Sequence, residues 1–402
     1  MNSTVSSAHR SSLKSAIAVA AVLGAFSLAV HAQERQPCIG VSGPLTGPAA
    51  FGGEAIRMGA ETAIDEINAK GGVLGKKLVL KMYDDAGQPP KGVDNVRRIA
   101  QSDNCVVMLG GYHSGVQLAM RDTIGQVQMP YIGTTAGGTA IIEHENGKNE
   151  WMFRVSAKDK WVAQFLVEQA VARSKNKKIA LLYENTGWGN GGLPDVIASM
   201  KAKGLNLVAT ETFNWGDADM TPQLIRVRDA GADTVVLWAL DREGNQILRG
   251  MDKLSYRPAN IIGAWGVAGN LGDIAGQLAN GVIVMQTFSW MGKLEPRAEA
   301  MWKKMQAKYN LKSPQDLKMG SATANSYDAV YIAAQAIQKA GAYDWTKVRN
   351  ALYDVKYDGI VGRYDPAFER NQERHDAILP KYYKLTAWHN GQLLPIDQTP
   401  YK

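Results

Sequence analysis

The stretch CIGVSGPLTGPAAFGGEAIRMGAETAIDEINAKGGVLGKKLVLKMYDD, residues 38–85, decides the fold of this chain. It begins with a short apolar run over 38–43, which is typical of a buried strand and ends in Gly-Pro. Apolar residues then recur at helical spacing over 54–70, and two glycines end the pattern. Alternation over 77–83 indicates a second strand. The stretch therefore predicts a strand–helix–strand unit whose two strands are parallel.

The alternation of strands and helices continues along the rest of the chain. A helix over 91–102, a buried strand over 106–109 and a helix over 116–127 extend the first series. The pattern restarts after Arg154, with strands predicted over 178–183, 205–212, 234–240, 260–265 and 282–287. Further helices are predicted over 160–173, 193–203, 295–309 and 323–341, and a last strand over 382–388. The sequence predicts an α/β protein with two doubly wound, parallel-sheet lobes.

Length, composition and charge exclude several classes of protein. The chain has 402 residues, of which 45% are hydrophobic and 21% charged, so it is long enough for two domains with their own cores. This composition is unlike that of a disordered chain or a collagen-like repeat. The formal net charge is +7, but no cluster of Lys and Arg is interleaved with aromatic residues. We therefore expect no nucleic-acid partner.

The first residues have the pattern of an export signal. Arg10 and Lys14 precede an apolar run over 16–30, and Val30-His31-Ala32 places small residues at the usual cleavage positions. The run is shorter than the roughly 20 residues that cross a bilayer as a helix. The sequence predicts a signal peptide over 1–32, cleaved after Ala32, and hence an exported protein. Because Gln33 follows, rather than a cysteine, no lipid anchor is expected.

The two cysteines are a candidate disulfide. Cys38 and Cys105 each begin a strand-like run. If these strands are parallel neighbours, both sulfurs lie at the same edge of the sheet, and an oxidising compartment allows them to bridge. Two buried free thiols are the alternative. Spacing alone does not fix the distance between the two Cα atoms, so both possibilities stay open.

Glycine-rich polar segments follow four of the predicted strands, at 42–53, 110–115, 133–139 and 184–192. In open α/β sheets, ligands bind outside the carboxyl ends of the strands. Glycine allows backbone N–H groups to approach a ligand, and the start of a helix favours an anion. Ser114 precedes a predicted helix, and 135–139 form a second turn of small residues. Together these segments predict a site for one carboxylate.

An enzymatic function is the alternative of another class. Gly187, Gly189 and Gly192 match the dinucleotide-binding fingerprint of an NAD-dependent oxidoreductase. Against it, Trp188 inside the motif would crowd a pyrophosphate, and an exported protein has little access to NAD. No histidine pair at metal-binding spacing and no cysteine cluster is present in the sequence. We expect no catalytic residue, no metal ion and no cofactor.

Five segments carry a family resemblance, namely those at 43–85, 106–115 (VVMLGGYHSG), 129–139 (MPYIGTTAGGT), 178–191 (KIALLYENTGWGNG) and 231–239 (GADTVVLWA). In this order and spacing, the chain resembles the periplasmic leucine/isoleucine/valine-binding proteins, the receptors of branched-chain amino acid ABC transporters. The resemblance covers nearly the whole chain after the signal peptide. It implies the type I periplasmic binding protein fold, a periplasmic location, a permease partner in the inner membrane and no catalysis.

The resemblance also implies how the chain is divided. Three crossovers near 154–155, 287–288 and 364–382 would form a hinge on which the lobes close over a ligand. The N-terminal lobe would comprise 36–154 plus 288–365. The C-terminal lobe would comprise 155–287 plus 366–402. We take a monomer as the default, and a soluble sensor with a separate partner protein stays open as a second role.

The family's binding residues can be carried onto this chain one by one. The serine that holds the ligand carboxylate falls on Ser114. The opposing turn falls on the four residues Thr135, Ala136, Gly137 and Thr139. The aromatic residues that cover the ligand side chain fall on Phe51 and Trp188. These positions match the family's pattern.

Two positions depart from that pattern and leave the ligand class open. Leu240 stands where the family has a neighbouring aromatic contact. Trp265 stands where amino-acid binders have an acidic residue for the ligand ammonium. Asp241 is the candidate replacement, because a buried ammonium without a counter-charge costs several kcal/mol. Without it, the side chains of Phe51, Trp188 and Trp265 would form a box for an aromatic or other ammonium-free carboxylate. A branched-chain or other hydrophobic amino acid is the first expectation, and an ammonium-free acid in the same transport role is the alternative.

Overall fold

A computed structural model describes residues 35–143, 149–371 and 374–402 of the chain. The predicted signal peptide over 1–32 lies outside these residues. Within the described part, no helix is both long and apolar enough to cross a membrane.

The first sheet contains five strands, all parallel, in the order β2-β1-β3-β4-β5. Strand order reverses beside β1, so a crevice opens at the carboxyl ends of β1 and β3. The strands are β1 (Gln36–Gly43), β2 (Val79–Asp84), β3 (Cys105–Gly110), β4 (Tyr131–Gly133) and β5 (Met152–Arg154). The helices between them are α1 (Ala50–Ala69), α2 (Pro89–Arg97), which continues as a π-helical turn over Arg98–Ser102, and α3 (Ser114–Val127).

The second sheet has seven strands in the order β14-β13-β10-β9-β8-β6-β7. Strands β6 to β10 are parallel, whereas β13 runs antiparallel to β10 and forms a hairpin with β14. The strands are β6 (Ile179–Glu184), β7 (Ala209–Phe213), β8 (Thr234–Trp238), β9 (Asn260–Gly263), β10 (Val282–Gln286), a separate pair β11 (Tyr357–Asp358) and β12 (Arg363–Tyr364), β13 (Lys384–His389) and β14 (Gln392–Pro395). The helices that follow α3 are α4 (Asp159–Arg173), α5 (Gly187–Ala202), α6 (Thr221–Asp229), α7 (Asp241–Lys253), α8 (Leu271–Ala275), α9 (Pro296–Tyr309), α10 (Gly320–Ala340) and α11 (Trp345–Leu352).

After β10, the chain returns to the first sheet before it adds β13 and β14 to the second one. Helix α10 is buried along most of its length and packs against α1. Gly59 allows this close approach, because a Cβ there would lie 2.1 Å from the carbonyl oxygen of Thr323. The α/β class with two mainly parallel sheets is confirmed, and the predicted lobe boundaries stay a prediction.

Helix α5 begins six residues earlier than the sequence predicts. Gly187–Gly192 were predicted to lie in a loop, and this is wrong, because they form the first turns of the helix. The hydroxyl of Thr186 caps the helix by accepting hydrogen bonds from the backbone N–H of Trp188 (3.1 Å) and of Gly189 (3.4 Å). An N-cap threonine satisfies helix N–H groups that otherwise have no partner, so the helix begins at the cap.

The structure joins Cys38 and Cys105 in a disulfide, with 4.8 Å between their Cα atoms. The bridge follows from the parallel pairing of β1 with β3, which brings Cys38 and Cys105 together at the amino-terminal end of the two strands. It closes a loop of 67 residues that contains α1, β2 and α2. Cross-linking so long a loop restricts the unfolded chain much more than the folded one.

Replacing both cysteines with serine is expected to lower the free energy of unfolding by about 2–4 kcal/mol, through the regained freedom of the unfolded chain. Urea denaturation of the double variant Cys38→Ser/Cys105→Ser, measured without reductant, tests this. The unaltered protein in reductant serves as the matched control and should lose a similar amount. An unchanged urea midpoint would contradict the expectation.

Candidate functional site

The carboxyl ends of both sheets border one cavity of ≈ 190 Å³. From the first sheet, the connection between β3 and α3 and the turn after β4 reach it. From the second sheet, the residues that follow β6, β8 and β9 reach it. Each sheet reverses its strand order beside these connections, which is the usual position of a ligand site in this class of fold.

Two helices begin at this cavity and face each other. Helix α3 begins at Ser114 and α5 at Gly187. A Cβ on Gly187 would lie 2.8 Å from the Cα of Gly115, so only glycine allows the two helix starts to meet. The first turn of a helix carries unpaired N–H groups and a partial positive charge. The start of α3 has no side-chain cap, so its N–H groups are available to an anion. Thr186 already accepts from two N–H groups of α5, so this helix contributes mainly its partial positive charge.

Hydroxyl groups complete this anion site. Thr135 lines the cavity, and its Oγ1 atom is buried and has no hydrogen-bond partner among the residues that the structure describes. The Oγ atom of Ser114 accepts a hydrogen bond from the backbone N–H of Gly138 at 3.2 Å, which leaves its own proton free to donate. Buried hydroxyl donors next to two helix starts are well suited to a carboxylate.

Arg154 holds the turn that carries Thr135, a role that the sequence analysis missed. Its Nη1 atom donates to the carbonyl oxygens of Gly137 (2.6 Å) and Gly138 (2.9 Å). Its Nε atom donates to Asp376 Oδ1 at 2.6 Å, and the arginine is fully buried. The only sequence signal is a charged residue that ends the apolar run of β5.

Indole rings form one wall of the cavity. Trp188 and Trp265 both line it, with their ring centroids 5.8 Å apart. The Nε1 atom of Trp188 donates to Asp159 Oδ1 at 3.3 Å. Asp159 is fully buried, and this burial raises the pKa of its carboxyl group to about 8. These contacts fix the orientation of the indole of Trp188 in the wall of the cavity.

Glu184 is the carboxyl group that lines this cavity, and the sequence analysis did not identify it. It ends β6, is 1% exposed, and accepts hydrogen bonds from the hydroxyl of Thr186 and from Trp215 Nε1, the latter at 3.0 Å. Burial raises the pKa of Glu184 to about 7, and the charge of Glu243 acts in the same direction. Among the ion pairs of the described residues, none includes Glu184. A buried carboxylate without a cationic partner is a natural acceptor for a ligand ammonium.

The structure brings together six of the nine residues predicted to bind the ligand: Ser114, Thr135, Ala136, Gly137, Trp188 and Trp265. Phe51 and Asp241 line an adjoining cavity instead. Thr139 lines neither of these two cavities. Its hydroxyl donates to Asp195 Oδ2 on α5 at 2.7 Å and accepts from the backbone N–H of Lys160 at 3.0 Å. Thr139 thus connects the turn after β4 to helix α5, and its predicted contact with the ligand stays a prediction.

The three glycines of the dinucleotide-like motif have packing roles. Gly187 meets the start of α3, as described above. A Cβ on Gly189 would lie 1.8 Å from the carbonyl oxygen of Glu184, and one on Gly192 would lie 2.6 Å from the ring of Trp238. Close packing of α5 therefore accounts for all three without a bound nucleotide. Within the described part of the chain, no three His, Cys, Asp or Glu side chains are arranged to hold a metal ion.

A cavity enclosed between two doubly wound α/β sheets, with helix starts for an anion and indoles for an apolar group, defines a ligand-binding protein with two lobes. The family model described as "Periplasmic binding protein" matches residues 38–382. The chain therefore belongs to the periplasmic binding protein family, and the resemblance drawn from the sequence is confirmed. Members of this family are solute-binding receptors rather than enzymes.

Individual relatives agree with this assignment. Leu/Ile/Val-binding protein homolog 3 of Brucella melitensis biotype 1 is 29% identical over 390 residues, which cover 96% of this chain and 99% of the relative. The branched-chain amino acid transporter substrate-binding protein LivJ of Streptococcus pneumoniae, solved with isoleucine, superimposes with a TM-score of 0.75 at 22% identity, covering 89% of this chain and 97% of that one. An ABC transporter solute-binding protein of R. palustris, solved with 4-hydroxybenzoate, has a TM-score of 0.75 at 17% identity, covering 89% and 95%. The two solved structures share the fold of this chain.

Proposed function

We propose that this protein is the periplasmic solute-binding receptor of an ABC importer and captures a small carboxylate, foremost an α-amino acid of the branched-chain or hydrophobic type. One observation carries the proposal: the starts of α3 and α5 converge on a cavity that Thr135 lines, and the hydroxyl of Thr135 is buried without a partner among the described residues. The relative named as a Leu/Ile/Val-binding protein homolog supports the ligand class.

Glu184 is the proposed acceptor for the ligand ammonium. It lines the same cavity as Ser114 and Thr135, whereas Asp241 lines the adjoining one. A ligand whose carboxylate lies at the helix starts has its ammonium within a few ångströms of that carboxylate. The acceptor must therefore lie in the same cavity, which favours Glu184 over Asp241.

An aromatic or other ammonium-free carboxylate is the second candidate ligand. The indoles of Trp188 and Trp265 line the cavity, and flat rings stack favourably on such faces. With its pKa raised to about 7, Glu184 can also bind as the protonated acid and donate a hydrogen bond. The R. palustris protein with 4-hydroxybenzoate supports the capacity of this fold for such an acid.

Capture is proposed to occur by closure of the two lobes, with boundaries at 36–154 plus 288–365 and 155–287 plus 366–402. The carboxylate would bind first at the start of α3, and the second lobe would then bring Trp188 and Glu184 onto the ligand. Micromolar affinity corresponds to about −8 kcal/mol, which a charge-assisted carboxylate site and one buried apolar group can supply. The closed receptor would dock as a monomer on its inner-membrane permease.

Calorimetric titration with amino acids and their matching 2-oxo acids tests the proposal. Leucine paired with 4-methyl-2-oxopentanoate, and phenylalanine paired with phenylpyruvate, separate the two ligand classes. We expect saturable binding of at least one pair member with no chemical change of the ligand. Failure of every small carboxylate to bind, or conversion of any of them, would contradict the receptor role.

Thr135→Val is expected to weaken ligand binding by about 1–3 kcal/mol, because it removes a hydroxyl donor from a buried carboxylate and keeps the shape of the side chain. Thr134→Val is the matched control, since Thr134 Oγ1 is also buried and unpartnered but does not line the cavity. Calorimetry should find unchanged affinity for the control. Equal affinities of both variants would mean that Thr135 does not touch the ligand.

A further inference from the structure

A second cavity, of ≈ 320 Å³, adjoins the first one. The two share Gly87, His113, Trp215 and Leu240 as lining residues. The rings of His113 and Trp215 lie 5.1 Å apart between their centroids, and they stand where the two cavities adjoin. We call this second cavity the distal chamber, because neither Ser114 nor Thr135 lines it.

The walls of the distal chamber are largely apolar. The apolar residues of its lining include Pro44, Pro48, Phe51, Leu240 and Ile274. Such walls suit the methylene stem of an elongated ligand better than a polar group. The first cavity is smaller than the roughly 300 Å³ at which small-molecule sites usually begin, so a ligand longer than leucine needs the additional room.

One carboxyl group in the lining of the distal chamber has an oxygen without a hydrogen-bond partner. Asp241 begins α7, is 2% exposed and lines the chamber together with Phe51. Its Oδ1 atom accepts hydrogen bonds from the backbone N–H of Gly269 (3.2 Å) and Leu271 (3.0 Å), whereas Oδ2 has no partner among the residues that the structure describes. A buried carboxyl oxygen without a donor, on a residue that lines a cavity, can accept a hydrogen bond from a ligand.

The charges around the chamber also favour a cation. Glu243 is a second buried carboxyl group in its lining, and its Oε1 atom accepts a hydrogen bond from the backbone N–H of Gly216 at 3.2 Å. The basic residues of the lining are Arg242, whose side chain is exposed, and His113, whose pKa is lowered to about 4 by burial, so that its ring is neutral. Lys318 acts on Asp241 from outside the lining. Among the described residues, no buried positive charge therefore lines the chamber beside the two carboxyl groups.

We infer that the distal chamber binds the amine-terminated end of an elongated amino acid, with the unpartnered Oδ2 of Asp241 accepting the ammonium and the apolar walls holding the methylene stem. The inference rests on the proposed function for the carboxylate end of the ligand. It extends the ligand class from leucine-sized amino acids to basic amino acids of the length of lysine. Asp241 thereby acts at the side-chain end of the ligand, while Glu184 acts at its α-ammonium.

The test compares lysine with norleucine, which has a side chain of similar length and no amine, by calorimetric titration. The unaltered protein should bind lysine at least about tenfold more tightly than norleucine, which corresponds to about 1.4 kcal/mol. Asp241→Asn should abolish this preference and keep norleucine affinity, because asparagine retains the Oδ1 acceptor for the backbone of α8. Asp252→Asn, an exposed position on α7, is the matched control and should keep the preference.

The other possible outcomes of this experiment contradict either the inference about the distal chamber or the proposed function. Equal affinity for lysine and norleucine in the unaltered protein overturns the inference and leaves the receptor role intact. A preference for lysine that survives in Asp241→Asn has the same consequence. The comparison in the unaltered protein remains decisive if Asp241→Asn does not fold. If leucine, norleucine and every 2-oxo acid fail to bind, the proposed function itself falls, and the inference falls with it.

Discussion

Glu184→Gln is expected to weaken α-amino acid binding about 100-fold or more, while the binding of matching 2-oxo acids changes little. Removing one member of a buried charge pair costs about 3–5 kcal/mol, because the other charge stays buried without a partner. A 2-oxo acid has no ammonium, so it does not depend on a negative charge at residue 184. Calorimetric titration of leucine and 4-methyl-2-oxopentanoate against both proteins measures the two effects.

Glu211→Gln is the matched control, because it removes a carboxylate that does not line the cavity. Glu211 lies on the neighbouring strand β7, where Arg226 binds it at 2.6 Å, and it does not line the cavity. Glu211→Gln should leave both affinities unchanged. Equal losses for leucine and its 2-oxo acid in Glu184→Gln would show that the side chain has only a structural role.

Glu184→Gln is also expected to change the pH dependence of leucine binding. In the free protein, burial raises the pKa of Glu184 to about 7, so the carboxyl group gains its proton as the pH falls through this value. Leucine affinity should therefore decrease toward pH 6, and Glu184→Gln should remove that part of the profile. Asp241, with a pKa raised to about 7, contributes equally to both proteins. The pKa of Asp159 is raised to about 8, mainly by burial and in part by the charge of Glu184, so Glu184→Gln should also lower the pKa of Asp159.

Arg154→Met is expected to lower the free energy of unfolding by about 3–5 kcal/mol, the second large effect. Methionine fills a similar volume but leaves Asp376 buried without the guanidinium, at 4% side-chain exposure. Lys158 lies 3.7 Å from the other oxygen of Asp376 and compensates only in part. The carbonyl oxygens of Gly137 and Gly138 also lose their donor, so ligand affinity should fall with stability. Urea denaturation and calorimetric titration measure the two quantities.

Arg57→Met provides the comparison on the surface. Arg57 pairs with Glu54 and Glu61 on α1, where all three side chains are partly exposed, so its loss should cost at most about 1 kcal/mol. The double variant Arg154→Met/Asp376→Leu should recover much of the stability, because it removes both buried charges. Similar small losses for Arg154→Met and Arg57→Met would contradict the structural role of Arg154.

The sequence predicted the elements of the fold well where the signal is local. The apolar periodicity over 54–70 and 77–83 corresponds to α1 and β2, and the starting cysteines of β1 and β3 mark two neighbouring parallel strands. It did not predict the antiparallel hairpin of β13 and β14 or the early start of α5. The edge hairpin and the glycine-rich first turns of α5 are stabilised by contacts with neighbouring elements more than by the intrinsic propensities of their residues.

By itself, the sequence determined the α/β class, the family and the turns around Ser114 and Thr135, because periodicity and glycine placement act over a few residues. Only the tertiary structure decided which charged groups line the cavity. Glu184, Arg154 and Asp376 lie far apart along the chain, and each is buried only in the folded protein. Burial also raises the pKa of Glu184. Whether Glu184 or Asp241 faces the carboxylate site depends on how the loops of two sheets meet, and no local pattern in the sequence encodes that arrangement.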